Sequence, residues 1–317
     1  MKNILITGGA GFISHHLIYY LIKKTDWNIV SLDRLDYSGN INRLEHILSE
    51  LSIQDKSRVK VVFHDLKSEI NPWIKKEIGD IDVILHLAAG SHVDRSIDYP
   101  MEFVLDNVVG TTNILEYARS INEEKGLERI IYFSTDEVFG PAPNGVDYKE
   151  NDRYNSTNPY SASKAAAEEF CVAYENTYKM PIFITHTMNV FGERQHPEKF
   201  IPMTIQRVRD SEKVFIHSNQ EKTKAGSRHY IHAQDVADGL MFILNLKNYT
   251  HKGDFGNAKC PKFNLVGPEE IDNLSLAEKI ANLVLAEFPI SRIRLKLSKS
   301  GAISNAKSVS VSIERTH

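Results

Sequence analysis

Short apolar runs alternating with longer amphipathic stretches constrain the first part of this chain more than any other feature. "NILIT" (3–7) is followed by "FISHHLIYYLIKK" (12–24), whose apolar residues recur at helical spacing. "NIVSLD" (28–33) precedes a helix near 40–51, and "RVKVVFHD" (58–65) precedes one near 68–78. "DVILHLAA" (82–89) leads to a long helix within 100–122, while "RIIYFS" (129–134) and "PIFITHT" (181–187) bracket a helix from about 158 to 178. Apolar runs this short, separated by helices, require parallel strands with crossover helices covering both faces of a sheet. Right-handed crossovers make that sheet an α/β, doubly wound one, with ligands at the carboxyl ends of its strands.

After residue 187 the rhythm changes. Loops lengthen ("HSNQEKTKAGSRHY"), and helices expected near 234–246 and 274–287 sit among short strands. Residues 188–317 therefore read as a smaller second domain forming the other wall of a cleft, with some return of chain to the first. The end of the chain, "SRIRLKLSKSGAISNAKSVSVSIERTH" (291–317), is rich in Ser and Lys and is expected to be weakly ordered.

Composition excludes several classes. A net charge of −3, with no basic run interleaved with aromatics, argues against nucleic acid as a partner. No apolar stretch approaches the ~20 residues that cross a bilayer, and "MKNILITGG" has too short an apolar run for a signal peptide. The two cysteines, Cys171 and Cys260, form no CxxC motif, and the 13 histidines form no HExxH. We read no disulfide framework, no metal site and a cytoplasmic setting.

"ITGGAGFIS" places Gly8, Gly9 and Gly11 between the first strand and the first helix. Glycines there let backbone N–H groups approach a diphosphate at the helix N-terminus, formed by Phe12 and Ile13. Asp33 closes the second strand at the distance where a carboxylate bonds an adenosine ribose hydroxyl. Its charge would repel a 2′-phosphate, so NAD is expected rather than NADP; the neighbouring Arg34 is the residue that would instead partner such a phosphate. Residues 1–187 thus read as a Rossmann-like NAD-binding domain.

The chemistry is signalled by two further stretches. In "NPYSASK", Asn158 is a helix cap, Pro159 suits the first helical position, and Tyr160 and Lys164 share a face. An ammonium there is expected to lower the phenol's pKa. Tyr19/Lys23 and Tyr20/Lys24 have the same spacing but lie in the first helix and read as core tyrosines with solvated lysines. In "FSTDEVFG" a buried strand ends in Ser134, Thr135, Asp136 and Glu137. Tyr160 removing a hydroxyl proton that Thr135 orients accounts for oxidation of an alcohol beside a nicotinamide. It leaves the adjacent carboxylates unexplained. In a sugar oxidised at C4, however, the C5 proton is acidic and the C6 hydroxyl can leave, and that elimination needs one base and one acid.

Together these stretches resemble the extended short-chain dehydrogenase/reductases, and most closely the nucleotide-diphosphate-glucose 4,6-dehydratases. The matching segments are "TGGAGFI", "LDRLDYSGN", "HLAAGSHVDRS", "STDEVFG", "PYSASK", "HPEKFIP" and "SRHYIHAQDVADG", in the family's order over roughly 1–285. The resemblance implies Asp136 as acid toward the C6 hydroxyl and Glu137 as base at C5, with Thr135, Tyr160 and Lys164 in the roles above. It implies Asp65 and Leu66 at the adenine, Leu87, Ala88 and Ala89 along the cofactor, and Ser91, Asn189, Lys199 and Arg228 facing the sugar nucleotide. It also implies a homodimer, built on apolar residues of two helices (Val104, Val108, Ile114, Leu115; Phe170, Val172, Ala173). Three departures stand out: Gly90 where the family has Glu, Ser14 where it has Gly, and no Arg-Pro-x-x-Asp stretch after about 290. A sugar-nucleotide 4-epimerase or decarboxylase would share the cofactor site and Tyr160/Lys164 without needing the acid pair. A non-catalytic dinucleotide sensor would lose Tyr160 or Lys164.

Overall fold

The computed structural model describes residues 1–36, 38–143, 145–219, 225–247, 260–287, 293–298 and 308–315. It divides into two units, Met1–Val190 with His232–Leu265, and Phe191–Ile231 with Val266–His317.

The first unit is built on a parallel sheet. Its strands are β1 (Asn3–Thr7), β2 (Asn28–Asp33), β3 (Val59–Phe63), β4 (Val83–His86), β5 (Arg129–Thr135) and β6 (Ile182–Thr187), followed by Lys262–Leu265. The spatial order is Lys262–Leu265, β6, β5, β4, β1, β2, β3, and every pairing is parallel. The chain starts in the middle at β1, winds outward to β3, then returns through β4 in the other direction. The order reverses between β1 and β4, where neighbouring crossovers leave on opposite sides and open a crevice above the strand ends. Continuous burial of β1, β4 and β6 reflects helices on both faces.

Helices fall where the periodicity places them: Phe12–Lys24, Ile41–Ser49, Pro72–Ile78, Gly110–Glu124 and Pro159–Tyr178. The long stretch after Pro100 contains one π-helical segment, Val104–Val109. Ile114 and Leu115, expected on an intersubunit face, are 1% exposed and belong to this unit's own core. The exposed apolar residues of the same region are Ile97, Tyr99, Met101, Val104, Leu105 and Phe170.

Of the residues expected in the second domain, the stretch that returns to the first unit includes the helix near 234–246. Ala233–Asn245 packs on Phe12–Lys24 in the first unit, burying Val236, Ala237, Leu240 and Ile243. The Arg129 guanidinium of β5 bonds the carbonyls of Ile243 and Leu246 at its end.

In the second unit, Ser227–His232 pairs antiparallel with Glu270–Asp272. Phe200–Arg209 and Asn273–Glu287 pack together over Val214–His217, with Val208, Val214, Ile216, Ala277 and Ala281 as core. Within 291–317, the end expected to be weakly ordered, two segments are strands. Ile293–Ser298 and Ser308–Arg315 are antiparallel strands, and the second pairs with Val214–His217. The reason lies in spacing rather than composition. Ile293, Leu295 and Leu297 alternate with polar residues, as do Val309, Val311 and Ile313, which is the period of a strand. The rest of 291–317 lies outside the described residues.

Candidate active site

The site grows from the carboxyl ends of β1, β2, β4 and β5. Gly8 (φ +66°) turns the chain out of β1, and its N–H donates to Leu32 O at 2.8 Å. A Cβ on Gly8 would fall 2.8 Å from Ala88 Cα, so only glycine lets this turn lie against the backbone leaving β4. Gly11 then opens the helix Phe12–Lys24 with no side-chain cap, leaving the Phe12 and Ile13 end of the helix open to an anion. Leu87, Ala88 and Ala89 follow β4, with Ala88 N–H donating to Thr7 Oγ1 at 3.2 Å.

Asp33, 7% exposed, ends β2. Its Oδ2 accepts from Ala10 N–H (2.9 Å) and its Oδ1 from Leu35 N–H (2.8 Å). Burial raises its pKa against the pull of those two N–H groups. Each oxygen keeps a lone pair for a ribose hydroxyl. Arg34 is turned away from any phosphate role. It grips Asp106 with two parallel hydrogen bonds, of 2.5 and 2.8 Å, and reaches Asp36 with Nε. Asp65 lies 3.7 Å from the same guanidinium, and the buried Leu66 carries its carbonyl to the Asn113 amide at 2.7 Å. A glycine turn, an uncapped helix and a carboxylate with its adjacent arginine neutralised by acids fit NAD and disfavour NADP.

The reactive groups collect one strand further on. Thr135, 8% exposed, ends β5, and Asp136–Phe139 form one 3-10 turn. Thr135 Oγ1 accepts from Glu137 N–H and donates to Asp136 Oδ1, both at 3.3 Å. Tyr160 lies in the first turn of Pro159–Tyr178, behind the Asn158 capping box, where the Thr135 hydroxyl pulls the phenol's pKa down. Lys164, one turn later, is 3% exposed.

The expected lowering of the phenol by Lys164 is not what the structure holds. Burial raises the Tyr160 pKa, and Glu137 and Asp136 raise it further against the pull of Thr135. Lys164 Nζ instead donates to Phe133 O at 2.7 Å and lies 4.3 Å over the Tyr132 ring. Burial lowers its pKa to about 7. Desolvation of two groups on one buried helix face outweighs their spacing.

Ser91 follows β4 and is exposed, and Asn189 is half-buried just past β6. Lys199 and Arg228 belong to the second unit, at the N-cap of Phe200–Arg209 and on Ser227–His232. Sequence reading missed three supports. The Arg43 guanidinium crosses the cofactor turn to Ser38 O (2.7 Å) and Ala10 O (3.4 Å). Gly39 packs so closely on Asp33 that a Cβ would fall 2.3 Å from Oδ1. Asn107, 1% exposed, ties both backbone groups of Gly90 to Ser163 Oγ. Only Gly39, in "YSGN", had a signal in a stretch already singled out. Among the described residues no cluster of metal-ligating side chains occurs, and no helix is long and apolar enough to cross a membrane.

The family model described as GDP-mannose 4,6 dehydratase matches residues 5–287. The chain belongs to that family. It is 37% identical over 294 residues to a dTDP-D-glucose 4,6-dehydratase of Dictyostelium discoideum, covering 89% of this chain and 62% of that protein. It is 33% identical over 297 residues to the dTDP-glucose 4,6-dehydratase of Neisseria gonorrhoeae, covering 89% and 78%. The crystal structure of dTDP-glucose 4,6-dehydratase from Bacillus anthracis in complex with NAD superposes with a TM-score of 0.74 at 28% identity, covering 90% of this chain and 81% of that one. A UDP-glucuronic acid 4-epimerase from Bacillus cereus, solved with UDP-glucuronic acid and NAD, gives 0.74 at 26%, covering 89% and 83%. The chain thus spans less than two thirds of the Dictyostelium relative and more of the others.

Proposed function

We propose that this protein is an NAD-dependent hydro-lyase that converts a nucleotide-diphosphate-glucose to its 4-keto-6-deoxy sugar nucleotide. The observation that carries the reading is the Asp136–Glu137 pair, placed immediately after Thr135 and near enough to the Tyr160 phenol for both carboxylates to raise its pKa. Epimerisation at C4 asks only for Thr135, Tyr160 and Lys164; loss of water across C5–C6 asks for a base and an acid besides.

Gly8, Gly11, Phe12 and Ile13 would hold the diphosphate of NAD, Asp33 a ribose hydroxyl, and Asp65 and Leu66 the adenine. Leu87, Ala88 and Ala89 would lie along it, with Tyr160 and Lys164 at its nicotinamide end. NAD bound there would supply the hydride acceptor for C4 and the hydride donor for C6. Thr135 orients the C4 hydroxyl, and Tyr160 takes its proton as the phenol's own proton passes to the Lys164 amine, which is poised near neutrality. Glu137 then removes the C5 proton while Asp136 protonates the departing C6 hydroxyl. Ser91, Asn189, Lys199 and Arg228 would face the sugar and its diphosphate, where an Arg fork matches phosphate oxygens.

The assembly that fits this chain is a homodimer. Met101, Val104, Leu105 and Phe170 are apolar yet exposed on two helical segments of the first unit, and a second copy would bury them. Buried, unpaired Cys171 and Cys260 suit a reducing cytoplasm.

The test is a panel of nucleotide-diphosphate-glucoses, among them dTDP-glucose and UDP-glucose, assayed for a 4-keto-6-deoxy product. Glu137→Gln should accumulate enzyme-bound NADH without product, and Tyr160→Phe should form no NADH. Epimer formation by the wild type, or normal turnover by Glu137→Gln, overturns the reading.

A further inference from the structure

The turn that carries the two acids is fixed at both ends, which leaves side-chain rotation as the main freedom of Glu137. At its start, Thr135 Oγ1 accepts from Glu137 N–H. At its end, Phe139 is 2% exposed, its ring packed 4.8 Å from His186, 5.5 Å from Tyr148 and 5.4 Å from Tyr154. That cage is anchored in turn. His186 bonds the fully buried Glu168 at 3.1 Å, Lys262 bonds the same carboxylate at 2.8 Å and also reaches the Tyr154 hydroxyl, and Asn264 holds Tyr148 O at 3.4 Å. Beyond Phe139, Gly140 (φ +74°) turns the chain where any Cβ would meet Asn155 O at 2.3 Å.

Into this setting comes Asn158. Its Oδ1 accepts from Ser161 N–H at 2.8 Å, capping the helix that bears Tyr160. That bond decides which end of the amide is which, so the NH2 points the other way, to Glu137 Oε2 at 3.4 Å. One side chain therefore joins the turn of the acid pair to the helix of the oxidation groups. We propose that Asn158 is a positioning residue for the elimination step: its amide holds the Glu137 carboxylate toward C5 while its carbonyl oxygen serves only as helix cap. The two jobs use different atoms, so they can be separated.

The inference rests on the proposed role of Glu137, and the test keeps the two apart. Asn158→Ser keeps a good N-cap but removes the amide donor. Asn158→Asp keeps the cap and sets a second carboxylate beside Glu137. Asn158→Ala removes cap and donor together. Each variant is mixed with the nucleotide-diphosphate-glucose that the wild type consumes, and NADH absorbance, product release and thermal midpoint are followed. Loss of one hydrogen bond to a charged group corresponds to about ten- to a hundredfold. Asn158→Ser should therefore form NADH nearly as fast as the wild type and release product about tenfold or more slowly, with an unchanged midpoint, so NADH accumulates. Asn158→Asp should be slower still in product release. Normal product release by Asn158→Ser overturns the proposal. So does a loss of NADH formation in Asn158→Ser equal to that in Asn158→Ala, since that would assign the residue to the helix alone. Failure of Glu137→Gln itself to accumulate NADH would instead remove the elimination role on which the proposal rests.

Discussion

Replacing Lys164 by Met should change how stability depends on pH, with a sign and window fixed by burial. Lys164 is 3% exposed, and burial lowers its ammonium from the ordinary 10.5 to about 7. Below about pH 7 folded and unfolded chains both carry the charge, and the folded state bears the full cost of holding it away from water. Between about 7 and 10.5 the unfolded chain keeps a proton that the folded one has released, so folding gains as pH rises. Above that window both forms are neutral and the cost is gone. At about 1.4 kcal/mol for each tenfold change in proton affinity, the window spans on the order of 5 kcal/mol. Met has a similar length and no charge, and it leaves Phe133 O without its 2.7 Å donor, a loss that does not vary with pH. Denaturant unfolding of NAD-free wild type and Lys164→Met at several pH values between 6 and 10 isolates the difference. Both tryptophans, Trp27 and Trp73, lie in the first unit with Lys164, so their fluorescence reports the relevant transition. The wild type should gain several kcal/mol on the variant as pH rises. Parallel profiles, or a wild type that loses ground, would refute the assignment of Lys164 as a desolvated ammonium.

Gly8→Ala should cost about 1–3 kcal/mol, seen as a lower thermal midpoint, together with loss of co-purifying NAD; its Cβ has only the Ala88 backbone to meet at φ +66°. Leu105→Glu should turn a dimer into a monomer by light scattering, since Leu105 is exposed and makes no part of the first unit's core; a wild-type monomer at micromolar concentration would remove the proposed interface. Deleting 291–317 should unfold or weaken the second unit, because it removes two strands of a three-stranded sheet around Val214–His217; circular dichroism and substrate affinity should both fall, while NAD content holds. An unaltered second unit would show that those strands contribute little.

Sequence alone determined the periodic parts of this protein. The apolar runs 3–7, 28–33 and 129–134 required strands, and the amphipathic segments between them required crossover helices, because 2.0- and 3.6-residue periods admit few other burials. Gly8, Gly11 and Asp33 stand on the first two strands of that scheme, and Tyr160 four residues before Lys164 on its last long helix, so their collection at one edge followed from topology. The alternation in 293–298 and 308–315 was equally present, but composition rich in Ser and Lys hid it. Only the tertiary structure decided what the buried charges do. Spacing put Lys164 near Tyr160, yet desolvation, which depends on every neighbour, moved both groups in the direction opposite to a paired ammonium and phenolate. Sequence left Arg34 as the one residue able to partner a 2′-phosphate in place of NAD's hydroxyl, and the bond it donates to Asp106, 72 positions away, occupies it instead. The return of Ala233–Asn245 to the first unit, and the Asn158 amide at Glu137, likewise arise from contacts between distant segments. Local pattern carries the elements; solvent exclusion and long-range pairing set the charges.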